Sequence, residues 1–145
     1  MALFIQQSFI GVLVLVFFTE GVSAQKKHTH HQTLILEQEI STIHIDLVDS
    51  WTISPWSSNA ILVEINIELY ETNQGLNEYL LESDRYLVQT QINADTFKIL
   101  PVVSDRNNLK NQGGQNIREE ITYKFYMPAV YEQREAGWLE KKKNP

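Results

Sequence analysis

From Leu34 to Met127 apolar and polar residues alternate. The pattern is clearest in Ile61-Leu62-Val63-Glu64-Ile65-Asn66-Ile67-Glu68-Leu69, where every odd position is apolar and the even positions turn polar after Leu62. A period of two predicts a half-buried strand, because successive side chains leave a pleated backbone on opposite sides. The same alternation marks Ile43 to Leu47, Trp51 to Ile53, Tyr86 to Ile92, Phe97 to Ile99 and Ile121 to Met127, all rich in β-branched and aromatic residues. Turn-forming clusters separate these runs: Asp49-Ser50, Ser54-Pro55 with Ser57-Ser58-Asn59, Asn93-Ala94-Asp95, and the polar stretch from Ser104 to Asn116 with Gly113-Gly114. One segment follows a different period. Leu76, Tyr79, Leu80 and Ser83 are spaced by three and four behind Asn73, a residue suited to accept from the first orphan N–H groups of a helix. The expectation is an all-β fold, an antiparallel two-sheet sandwich or an open meander, with one short helix over residues 74–83.

The two ends of the chain lack this alternation. Met1 to Ala24 holds a ten-residue apolar run, Phe9 to Phe18, followed by Thr19-Glu20-Gly21 and then Val22-Ser23-Ala24. That is the layout of an export signal cleaved after Ala24, and Gln6-Gln7-Ser8 interrupts the apolar stretch short of the roughly 20 residues that span a bilayer. The expected result is an exported chain with no membrane span after cleavage, residing in the periplasm, on the cell surface or outside the cell. Residues 25–33 contain no apolar side chain and predict a disordered, histidine-bearing tail. Residues 34–128 form the single β-rich domain. Residues 129–145, ending in Lys141-Lys142-Lys143, predict a charged, solvated tail.

Composition narrows the range of functions. The 145 residues include no cysteine, which excludes a disulfide framework, a thiolate metal site and a thiol nucleophile. Eighteen acidic against 12 basic residues give a net charge of −6, and removing Glu20 with the leader leaves the remainder acidic. That sign disfavours a protein that tracks nucleic-acid phosphates.

Chemistry-bearing groups are few. His28, His30 and His31 form a cluster of imidazoles able, in a flexible segment, to converge on a divalent transition metal. His44, Asp46 and Asp49 are the other imidazole and carboxylate grouping, but no nucleophile-elbow, zincin or phosphate-loop motif accompanies them, and polar residues on the wet face of a sheet account for them. Among the tryptophans, Trp51 is in phase with Ile53 and is expected in the core. Trp56 follows Pro55 in a turn and is the candidate for stacking on a glycan. Arg85 is expected to pair with Glu82 or Asp84 or to cap the helix.

The succession of Ile43 to Leu47, Trp51-Thr52-Ile53, the turn at Trp56-Ser57-Ser58-Asn59, the strand Ala60 to Leu69, then Tyr79 to Tyr86 and Ile121 to Pro128 resembles the opening module of uncharacterised exported bacterial envelope proteins. These are of Bacteroidetes type and belong to the adhesin-like, auto-transporter head-domain group. The resemblance spans about Ile40 to Pro128 and implies an all-β envelope protein without transferable catalytic residues. The sequence therefore predicts a non-enzymatic envelope or extracellular domain without a cofactor, whose partner is an envelope protein or a glycan. Glycan or metal binding is the alternative to a purely protein-interacting or structural role.

Overall fold

A computed structural model describes residues 25–37 and 39–143. The predicted leader, residues 1–24, lies outside the described residues. Among the described residues two sheets pack face to face and one α-helix accompanies them. The four-stranded sheet has the order β1 (Lys26–Ile35), β4 (Ala60–Tyr70), β7 (Arg118–Pro128), β3 (Ser50–Trp56). The five-stranded sheet has the order β5 (Val88–Asn93), β6 (Thr96–Pro101), β2 (Thr42–Ile45), β9 (Trp138–Lys141), β8 (Tyr131–Glu135). The all-β sandwich with one short helix is thus the fold. Each sheet is mixed rather than wholly antiparallel, since β3 runs parallel to β7 and β2 parallel to β6. Alternation reports which face a strand buries and carries no information about the direction of its neighbour.

The core follows the period of two. In β4, Ile61, Val63, Ile65, Ile67 and Leu69 are fully buried, while the intervening Leu62, Glu64, Asn66 and Glu68 are half-buried on the outer face. Opposite them lie Ile43, Ile45, Phe97, Ile99 and Leu139 of the five-stranded sheet. Burying each such aliphatic side chain contributes about 1.5–3 kcal/mol relative to exposure, so these residues fix which face of each sheet turns inward. The predicted helix is α1 (Gln74–Glu82). Asn73 caps it, its Oδ1 accepting from the Leu76 N–H at 2.9 Å. At the other end the Ser83 hydroxyl donates to the Leu80 carbonyl at 2.7 Å, and a 3-10 turn, Asp84–Tyr86, leads into β5.

Both expected tails are ordered elements instead. Residues 25–33 are not a mobile tail, because Lys26 to Ile35 pair with β4 over ten residues in one unbroken antiparallel register. An edge strand of this kind draws its order from a preformed neighbour, so apolar content is a poor test of it. Its inward residues are satisfied by other means. The Gln32 side chain accepts from the Val88 N–H at 3.1 Å and donates to the Val88 carbonyl at 2.7 Å, and Leu34 anchors the far end in the core. Residues 129–143 likewise form the hairpin β8–β9, with β9 inserted between β8 and β2. Leu139 is buried, the Tyr131 hydroxyl donates to the Ile40 carbonyl at 2.7 Å, and Trp138 stacks on His44 with ring centroids 3.9 Å apart. At the turn, Gly137 has φ +80 and sits so close to β2 that a Cβ there would lie 2.7 Å from the Ile45 carbonyl oxygen. Among the described residues no helix is long and apolar enough to cross a membrane.

Candidate interaction surface

The outward residues of β1, β4, β7 and β3 make one broad polar face. Registers align Thr29 with Asn66 and Thr122, and His31 with Glu64 and Lys124, each row crossing the sheet from its β1 edge towards β3. A chain of hydrogen bonds runs along the first strands. The Thr29 hydroxyl donates to Asn66 Oδ1 at 2.8 Å, and Asn66 Nδ2 donates to Glu64 Oε1 at 3.0 Å. Tyr126 OH donates to Glu64 Oε2 at 3.4 Å, and His31 Nε2 stands 3.8 Å from the same oxygen. A second cluster joins Lys27 to Glu68 at 2.8 Å and Tyr70 OH to Glu68 at 2.9 Å, with the Gln25 amide also donating to Glu68. Arg118 lies over the Tyr70 ring, 3.9 Å from its centroid. These bonds favour ionised carboxylates. The Asn66 amide above all holds the Glu64 carboxyl below its ordinary value, and Lys27 does the same for Glu68.

At one end of this face two aromatic rings meet. Trp56, the last residue of β3, has its ring centroid 6.0 Å from that of Tyr126, with the ring planes inclined at 44°. The indole N–H donates to the Ala60 carbonyl at 2.7 Å, which fixes the ring and leaves its polar edge satisfied. Lys124 Nζ lies 4.7 Å from the Tyr126 centroid, a cation–π contact that steadies the second ring. Trp56 is half-buried on the wet side of the sheet.

The other candidate residues disperse. Along β1, His28 and His30 turn inward and His31 turns outward, because neighbours on a strand occupy opposite faces. His28 Nε2 lies 3.3 Å from Asn77 Nδ2 on α1, whereas His31 faces Glu64. The three imidazoles therefore cannot share one ion, which corrects the expectation of a joint His28, His30 and His31 site. Among the described residues no group of three or more metal-ligating side chains is assembled. His44 stacks on Trp138, Asp46 pairs with Lys98 at 2.8 Å and Asp49 with Arg106 at 2.6 Å, so these three make separate contacts. Trp51 packs half-buried against the core, in phase with Ile53 as expected.

Two further features carry no local sequence signal. Arg85 passes over its near neighbours Glu82 and Asp84 and grips Glu119 on β7 with two hydrogen bonds of 2.8 and 2.7 Å. The Tyr86 hydroxyl donates to the same carboxylate at 2.6 Å. Burial alone would raise the Glu119 carboxyl, but the bonds from Arg85 and Tyr86 outweigh it and hold the group below its ordinary value. Burial first, then Glu119, pushes the Tyr86 phenol up. Arg85 also donates to the Asn107 carbonyl at 3.0 Å, tying down the long loop before β7. The second feature is a cavity of about 420 Å³ at one end of the sandwich, with Leu36, Pro128, Val130 and Tyr131 as apolar walls and Glu37 and Lys141 among its lining.

Comparison with protein-family models, with curated proteins and with solved structures returned no match.

Proposed function

We propose that this chain is an exported, non-enzymatic interaction module whose contact surface is the outer face of the four-stranded sheet. The observation that carries the reading is the Trp56–Tyr126 ring pair beside a cross-strand network in which Glu64, Asn66, Thr29 and His31 are already fixed. Rigid aromatic area with preformed polar neighbours loses little side-chain entropy on binding. The leader-like run Phe9 to Phe18 and the small residues before Gln25 support export to the periplasm, the cell surface or beyond. The partner is an envelope protein or a glycan, and the ring pair favours the glycan as the second reading because sugar rings stack on aromatic faces.

Both readings are testable on one set of proteins. A photo-crosslinker at Thr52 or Thr122, on the outer face, should give a defined adduct in envelope extract that disappears in Trp56→Ala, whereas a crosslinker at Gln133 on β8 should not. Adducts confined to Gln133 would overturn the surface assignment. On a glycan array, binding that is lost in Trp56→Ala with an unchanged circular dichroism spectrum supports the glycan reading, and an empty array removes it.

A further inference from the structure

The outer edge of β1 is a separate feature. β1 is bonded to β4 along one side for all ten residues, and among the described residues no strand is bonded to its other side. A strand edge left in this way presents a row of N–H and C=O groups to any extended segment that can approach it. Its inward residues Lys26, His28, His30 and Gln32 are only half-buried, so a neighbouring strand would cover them further.

The side chains on this edge select what can approach. β1 carries Lys26, Lys27, His28, His30 and His31 and no acidic residue. A second β1 laid parallel and in register would set Lys26 and Lys27 beside their own copies, and one laid antiparallel would set them beside apolar Ile35 and Leu34 with no counter-charge, so neither supplies what an acidic segment does. The strand it already accepts has the opposite character, since β4 sets Glu68 opposite Lys27 and Glu64 opposite His31. Charge falls off along the strand, from Lys26 and Lys27 at one end to buried Leu34 and exposed Ile35 at the other.

From this edge we infer that β1 accepts, by main-chain strand addition, an extended acidic segment of another protein, with carboxylates beside Lys26 and Lys27 and an apolar side chain beside Leu34. Hydrogen bonds to the backbone would supply much of the affinity, and the lysine end would set the direction in which the segment lies.

Fluorescein-labelled decapeptides titrated against the purified protein test this. A peptide with adjacent Glu residues at one end and Val and Thr along the rest, made in both sequence directions, is the probe, compared with its Lys-for-Glu counterpart and with the Glu peptide N-methylated at alternate residues. The Glu peptide should bind at least tenfold more tightly than either, and hydrogen exchange should slow at residues 26–35 and not in β8. Lys26→Glu, with Lys27→Glu added where the fold persists by circular dichroism, should reverse the preference between Glu and Lys peptides. Equal binding of the N-methylated peptide would overturn main-chain addition. Equal binding of the Lys peptide would overturn the charge selection, and no binding of the Glu peptide would overturn the inference as a whole. A strand bound here leaves β8 uninvolved, so Gln133→Ala should bind the Glu peptide as well as the unsubstituted protein does.

Discussion

At the scale of single residues, the most consequential group is Gln32. It stands on the inward face of an edge strand where an apolar side chain would be conventional, yet its amide answers both the backbone N–H and the backbone carbonyl of Val88. Replacing it with Ala should cost about 2 kcal/mol, the net worth of two hydrogen bonds together with leaving two groups unmet. Urea unfolding followed by tryptophan fluorescence would measure it, and a loss below a few tenths would show that water serves Val88 equally well. Glu119 is the second such residue. With its side chain and that of Arg85 only 13% and 12% exposed, Glu119→Gln should destabilise the protein by about 3 kcal/mol at neutral pH, because a buried guanidinium then loses its counter-charge.

At the scale of elements, the hairpin turns carry the clearest backbone demands. Gly137 combines φ +80 with a close approach to the Ile45 carbonyl, and the Ile45 N–H donates back to the Gly137 carbonyl at 2.7 Å. Gly137→Ala should therefore strain the β8–β9 hairpin and push β9 from β2, at a cost of about 3 kcal/mol or less. Hydrogen exchange localised to residues 131–141 would show it. The turn between β5 and β6 works the other way. Ala94 holds φ 54 with a side chain that gains nothing there. Ala94→Gly should raise stability by about 1 kcal/mol, read as an increase in the thermal midpoint. At the helix, Asn73→Ala should cost about 1 kcal/mol by leaving the Leu76 N–H without its cap.

At the scale of the whole molecule, acid should unfold this protein through its paired carboxylates. The Glu119 carboxyl titrates lower in the folded protein than in the unfolded chain, where the ordinary value is about 4.3. Its stabilising contribution is therefore complete above that value and is lost as pH falls through the lower, folded one. Asp46, held low first by its bond from Lys98, shifts in the same direction. The thermal midpoint should be flat around neutral pH and fall below about pH 4, and Glu119→Gln should start lower and fall less steeply. Parallel curves for the two proteins would show that Glu119 does not govern the acid limb.

The same scale separates what could be read in the chain from what could not. Strands β2, β3, β4, β6 and β7 and helix α1 were legible because the requirement that shapes them is local: each must turn one side away from water, and the spacing of Ile61, Val63, Ile65 and Ile67 or of Leu76 and Leu80 records it, whereas in β5 only Val88 is buried and Ile92, expected on an inward face, is exposed. Trp56 is expected in a turn after Pro55 and instead ends strand β3, half-buried, and its companion Tyr126 was not legible either, since β3 and β7 meet only through parallel pairing.

What the sequence by itself determined is the two-fold period, and with it the sheets, their inward faces and the capped helix. Tertiary structure alone decided that Lys26 to Ile35 is a strand, that the histidines part to opposite faces, and that Arg85 reaches Glu119 rather than its neighbours. The reason is that an edge strand and a buried ion pair owe their order to partners distant in the chain: a β4 backbone already in place, and a carboxylate brought near by the closing of two sheets.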